Sequence, residues 1–81
     1  MSRTLRSRRQ EALRTFLIER RTKAGLTQTE LAKRLGEYQS FVARIESGQR
    51  RIDVVELLDL AKSIGFEPRE AIKRLLATKP D

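Results

Sequence analysis

The chain has 81 residues, 18 of them lysine or arginine against 11 aspartate or glutamate, for a net charge of +7, and it contains neither cysteine nor histidine. A chain of this length makes one small domain that buries about 60% of the surface its unfolded form exposes. Without cysteine or histidine it lacks disulfides, thiolate and imidazole metal ligands, and the usual Ser-His or Cys-His nucleophile, so neither an enzyme nor a cofactor is expected.

The positive charge is concentrated early. Residues 1–25 carry eight basic and two acidic side chains, residues 26–50 four and three, and residues 51–81 six of each. A basic first third over a neutral last third suits a face or arm that meets a polyanion. The opening MSRTLRSRR holds Arg3, Arg6, Arg8 and Arg9 with few apolar anchors. Residues 1–9 are therefore expected to form a basic arm, flexible until it meets its partner, ahead of a single domain over 10–78.

Helix 1 is expected over roughly residues 8–24, with Ser7 and Gln10 as a capping box and Leu13, Phe16 and Leu17 facing inward. Gly25 stops it. Thr27 and Glu30 form a second capping box before helix 2, with Leu26 and Leu31 as its hydrophobic staple and Leu31, Ala32 and Leu35 as its inner face. Gly36 permits a sharp turn into the stretch GEYQSFVARIESG. There Val42 and Ile45 turn inward, while Gln39, Ser40, Ala43, Arg44 and Ser47 share the outward side of helix 3. Asp53 with Glu56 starts helix 4, which runs to Ser63 or Ile64 and offers Leu57, Leu58, Ala61 and Ile64 to the core. Pro68 opens helix 5, with Ile72, Leu75 and Leu76 as its apolar face. Five short helices and no alternating strand pattern predict an all-α domain.

The segment AGLTQTELAKRLGEYQSFVARIESGQRRIDVVELLDLAKSIG, residues 24–65, resembles the Cro/CI (XRE)-type helix-turn-helix family. The matching pieces are LTQTELA, the turn glycine, QSFVARIESG and LLDLAKSIG. The resemblance implies the compact five-helix lambda-repressor-like fold, with a helix-turn-helix of helices 2 and 3 at residues 27–48. It also implies that helix 3 enters the major groove of DNA, where Gln39, Ser40, Ala43 and Arg44 would read bases. Their chemistry fits that role: glutamine pairs bidentately with adenine N6 and N7, arginine with guanine O6 and N7, and a small apolar residue meets a thymine methyl.

Gln28 matches a family position that contacts the DNA backbone at the start of helix 2. Gln49, Arg50 and Arg51 follow helix 3 and are expected to clamp neighbouring phosphates, with Arg3, Arg6, Arg8 and Arg9 as arm contacts. Arg21 and Glu46 match a family pair that bridges helices 1 and 3, and are read as structure. Two residues depart from the pattern. Tyr38 stands where a capping Ser or Thr is common, and its hydroxyl is expected on a phosphate; Glu37 stands where a small apolar residue is usual.

The resemblance implies a transcriptional regulator, by family habit a repressor, that reads a palindromic operator as a homodimer. The dimer surface is expected on helix 5, at Ile72, Leu75 and Leu76, because Leu75 and Leu76 cannot both face one core. Two other readings compete: an antitoxin-type module that neutralises a protein partner, and non-specific nucleoid binding. Apolar runs are short, and no apolar stretch follows the basic N-terminus as in a signal peptide, so a soluble, cytoplasmic protein is expected.

Overall fold

A computed structural model describes residues 7–80. They form α1 (Arg8–Lys23), α2 (Gln28–Leu35), α3 (Gln39–Glu46), α4 (Val54–Ile64) and α5 (Pro68–Ala77), with no strand among the described residues. Local chemistry sets most of the boundaries. Thr27 and Glu30 exchange both bonds of a capping box at 3.0 and 2.8 Å, and Asp53 and Glu56 do the same at 2.7 and 3.1 Å. Ser7 makes only half of one: its hydroxyl accepts from the Gln10 amide at 3.0 Å, and no bond returns from the Gln10 side chain. Gly36 ends α2 at φ 73°, and the Glu37 amide closes the turn on the Ala32 carbonyl at 2.9 Å. That left-handed residue, costly for any side chain with a Cβ, throws α3 across α2 and leaves one face of α3 outside.

The core gathers Leu13, Phe16 and Leu17 of α1, Leu31 and Ala32 of α2, Val42 and Ile45 of α3, and Leu57, Leu60, Ala61 and Ile64 of α4. Phe66 joins it edge-on to Phe16, with ring centroids 5.1 Å apart, and Ala71 of α5 is fully buried. Helices α1 and α5 run antiparallel, laced by Arg20–Glu70 at 3.3 Å and Arg74–Glu19 at 3.2 Å.

Three expected core residues lie outside. Leu58 is half exposed because the inward stripe of α4 is 57, 60, 61 and 64, and residue 58 stands about 100° from Leu57 around the helix. Ile72 and Leu76 are exposed because α5 turns Ala71 and Leu75 to the core instead. Ala71 is fully buried, so the inner side of α5 leaves no room at that position for a larger side chain. Leu75 therefore packs on the core, and Leu76 is the outward member of that pair. Among the described residues no helix is long and apolar enough to cross a membrane, and no cluster of acidic residues could hold a metal.

Candidate nucleic-acid interface

The outward face of α3 is held from behind through its last residue. Glu46 accepts from Arg21 Nε at 2.6 Å and Nη2 at 2.9 Å, a bidentate pair in which the two side chains are 13% and 8% exposed. Arg21 Nη1 also donates to the Leu26 carbonyl at 2.7 Å, so one guanidinium joins α1, the α1–α2 loop and α3. Removing either partner would strand a nearly buried charge.

The pair continues outward. Gln28 Nε2 donates to Glu46 Oε1 at 2.8 Å, and Gln39 Nε2 donates to Gln28 Oε1 at 2.7 Å. A carboxylate only accepts, so Glu46 turns the Gln28 amide with its nitrogen inward and its oxygen towards Gln39. Gln39 must then present its own nitrogen to Gln28. What remains outward is the Gln39 carbonyl oxygen and one N–H. This is the acceptor–donor pair that adenine N6 and N7 require.

Gln39, Ser40 and Arg44 are exposed, and Ala43 is partly so. The Arg44 side chain has no partner among the described residues. Gln49 and Arg51 are exposed beyond the end of α3, and the Arg51 guanidinium is also unpartnered there. Tyr38 is the N-cap of α3 but makes no side-chain cap bond, and it stands 84% exposed beside Gln39.

Arg50 is placed differently. Its Nη1 and Nη2 donate to Glu56 Oε1 and Oε2 at 2.8 and 2.6 Å, and its Cζ lies 4.7 Å from the Phe41 ring centroid. The paired hydrogen bonds hold the Arg50 guanidinium above its ordinary pKa and, with the Asp53 amide assisting, the Glu56 carboxyl below its own. Glu37 lines a shallow cleft with Phe41, Glu56 and Asp59, and its charge acts on Arg50. It therefore lies on the α4 side of the turn.

The start of α1 also differs from a free arm. Arg8 and Arg9 are helical, and Arg9 Nε donates to the Thr78 carbonyl at 3.2 Å. Arg3 and Arg6 lie outside the described residues. One contributor escaped the sequence reading. Arg14 Nη1 donates to the Glu46 backbone carbonyl at 3.0 Å, capping the C-terminal end of α3. Its spacing of seven residues from Arg21, two turns along one face of α1, was the available signal.

A family model described as helix-turn-helix matches residues 17–70. Among solved structures, an XRE-family like protein from Pseudomonas syringae pv. tomato is 46% identical, covering 85% of this chain and 84% of that one at a TM-score of 0.80. The restriction-modification controller protein C.AhdI from Aeromonas hydrophila is 41% identical over 73% of this chain and 86% of its own, at 0.68. The clp gene regulator ClgR from C. glutamicum, at 20% identity, shares the fold with a TM-score of 0.75, covering 84% of this chain and 88% of its own. No curated protein matches the chain.

Proposed function

The chain belongs to the XRE-type helix-turn-helix family of DNA-binding transcriptional regulators, and from that premise we propose that it acts as a repressor, binding a palindromic operator as a homodimer with α3 in the major groove. The observation that carries this reading is the chain Arg21–Glu46–Gln28–Gln39, which fixes an outward glutamine amide in the orientation that adenine accepts. Arg44, one turn beyond Ser40 on the exposed face, pairs with guanine, and Ser40 and Ala43 complete the reading surface. Arg51, Gln49, Tyr38 and the N-terminal turn of α2 at Gln28 take the flanking phosphates, which set register without carrying sequence information. Arg3, Arg6, Arg8 and Arg9 add positive charge at the N-terminal side.

Dimerisation supplies the selectivity that one short helix lacks. Val54, Leu58 and Ile72 are exposed and line one groove between α4 and α5, and Leu76 lies one turn beyond Ile72. The groove is rimmed by Glu67 and Arg69, which pair with each other at 2.9 Å. Val54, Leu58, Ile72 and Leu76, rather than Leu75, form the apolar contact.

The test is selection from a random duplex pool at roughly physiological salt, with wild type and Gln39→Ala in parallel. The expected result is an inverted repeat with half-sites about 34 Å apart, altered in the mutant at one base pair per half-site. Leu58→Asp should sediment as a monomer with its helical content intact. No enrichment by a folded wild-type protein would refute the reading.

A further inference from the structure

Arg50 touches three parts of the molecule at once. Besides the bidentate bonds to Glu56, its Nη1 donates to the Arg51 carbonyl at 2.9 Å. Phe41, beneath its guanidinium, belongs to α3, and Glu56 belongs to the first turn of α4. One side chain thus ties the reading helix, the following loop and the next helix together. The loop itself is folded back on α3: the amides of Gln49 and Arg50 both donate to the Arg44 carbonyl, at 2.9 and 3.2 Å.

The surroundings argue against a direct phosphate contact. To reach DNA, Arg50 would leave Glu56, stack no longer on Phe41, and expose a carboxylate beside the incoming phosphate. Glu37 and Asp53 add negative charge at the same place. Arg51, adjacent in sequence, is exposed and has no partner to give up among the described residues. Arginine suits the clasp because its planar fork satisfies both carboxylate oxygens while its face stacks on an aromatic ring; lysine, a point charge, has neither the fork nor the flat face.

We propose that Arg50 is a positioning residue for DNA binding, which through Glu56 and Phe41 holds the α3–α4 loop so that Gln49 and Arg51 stand beside the reading helix. The inference rests on the DNA-binding reading above and concerns how that binding is organised. Arg50 itself neutralises no phosphate.

Counterion release separates the two roles. Each phosphate neutralised contributes about 0.9 to the slope of log K against log salt. Binding of the full chain to its selected duplex is measured across a salt series for wild type, Arg50→Ala, Arg50→Lys, Glu56→Gln and Arg51→Ala. Circular dichroism fixes a temperature at which all five are folded. Arg51→Ala should flatten the slope by about 0.9. Arg50→Ala, Arg50→Lys and Glu56→Gln should each lose about tenfold in affinity while keeping the wild-type slope. The double variant of Arg50→Ala and Glu56→Gln should be no worse than either single change.

The assignment is overturned by a flatter slope in Arg50→Ala, near-normal binding by Arg50→Lys, or tighter binding by Glu56→Gln, which would mean that Glu56 withholds Arg50 from phosphate. Unchanged affinity in folded Arg50→Ala would reduce the clasp to a stability element and overturn it equally. A wild type that binds no duplex selectively would instead remove the DNA-binding reading, and this inference with it.

Discussion

Gln39 Nε2 donates to Gln28 Oε1 at 2.7 Å, joining the first residue of α3 to the first residue of α2. The bond has a direction because Gln28 is itself oriented by the Glu46 carboxylate, 2.8 Å from its Nε2. Gln28→Ala removes this constraint without touching Gln39, the side chain proposed to read the base. The Gln39 amide is then free to turn over, and the penalty for a base other than adenine at its position should shrink by about 1 kcal/mol of the 1–3 that a good bidentate contact supplies. A specificity profile over single-base operator variants reads this directly. Loss of affinity by the same factor on every variant would mean that Gln28 serves only the DNA backbone.

Glu46 is the point at which that network enters the protein interior. It receives two bonds from Arg21 and one from Gln28, and its carbonyl receives Arg14. Glu46→Ala leaves the Arg21 guanidinium nearly buried with only the Leu26 carbonyl as acceptor. The expected cost is about 3–5 kcal/mol, a large share of the stability of so small a domain. Urea denaturation should show the midpoint falling at unchanged slope. The double change Arg21→Met with Glu46→Leu should recover much of the loss, since it removes both charges and keeps the volume. A Glu46→Ala variant as stable as wild type would show that the pair is more solvated than its geometry indicates.

The glycine pair of the helix-turn-helix separates backbone strain from packing. Gly36 and Gly48 have similar positive φ, 73° and 84°, but a Cβ at Gly36 meets nothing within 4 Å, whereas at Gly48 it would lie 3.2 Å from Arg14 Nε. Gly36→Ala should therefore cost only the left-handed penalty, about 1 kcal/mol. Gly48→Ala should cost roughly 1 kcal/mol more, by pushing Arg14 off the Glu46 carbonyl. In an Arg14→Ala background the two substitutions should become equal, which thermal unfolding of the four variants would check. A persistent difference would place the extra cost elsewhere than Arg14.

Local chemistry made the helices legible in the sequence. The Thr27–Glu30 and Asp53–Glu56 boxes and the glycines act over three or four residues, so their meaning does not depend on the rest of the fold. The orientation of α4 and α5 was harder. Apolar residues at 57, 58, 60, 61 and 64 admit two overlapping stripes, and packing against α2 and α5 selects the one containing Leu60 over the one containing Leu58. In α5 a small residue, Ala71, took the innermost position and left the larger Ile72 exposed. Phe66 follows Gly65 outside any helix, so no period could place it. The internal pairing of Arg50 was hidden for another reason. Glu56 already had a role as the capping partner of Asp53, and its second role as the acceptor for Arg50 appears only when the loop is folded.

Tyr38 holds the N-cap position of α3 with the right backbone, φ −85° and ψ 156°, but no side-chain oxygen to accept a first-turn amide. Tyr38→Ser should supply that acceptor and stabilise the fold by about 1 kcal/mol. The same change removes an exposed hydroxyl from beside Gln39, where the proposed function puts it on a phosphate. Binding should then weaken by about 1 kcal/mol on every sequence alike. The salt slope should stay as in wild type, because a neutral hydroxyl displaces no counterion. Stability and affinity moving in opposite directions would mean that this position gives up a cap to make a contact with DNA, the kind of local rule that is broken at functional sites. A more stable protein with unchanged binding would leave Tyr38 without a part in DNA recognition, and the missing cap would have no functional counterpart.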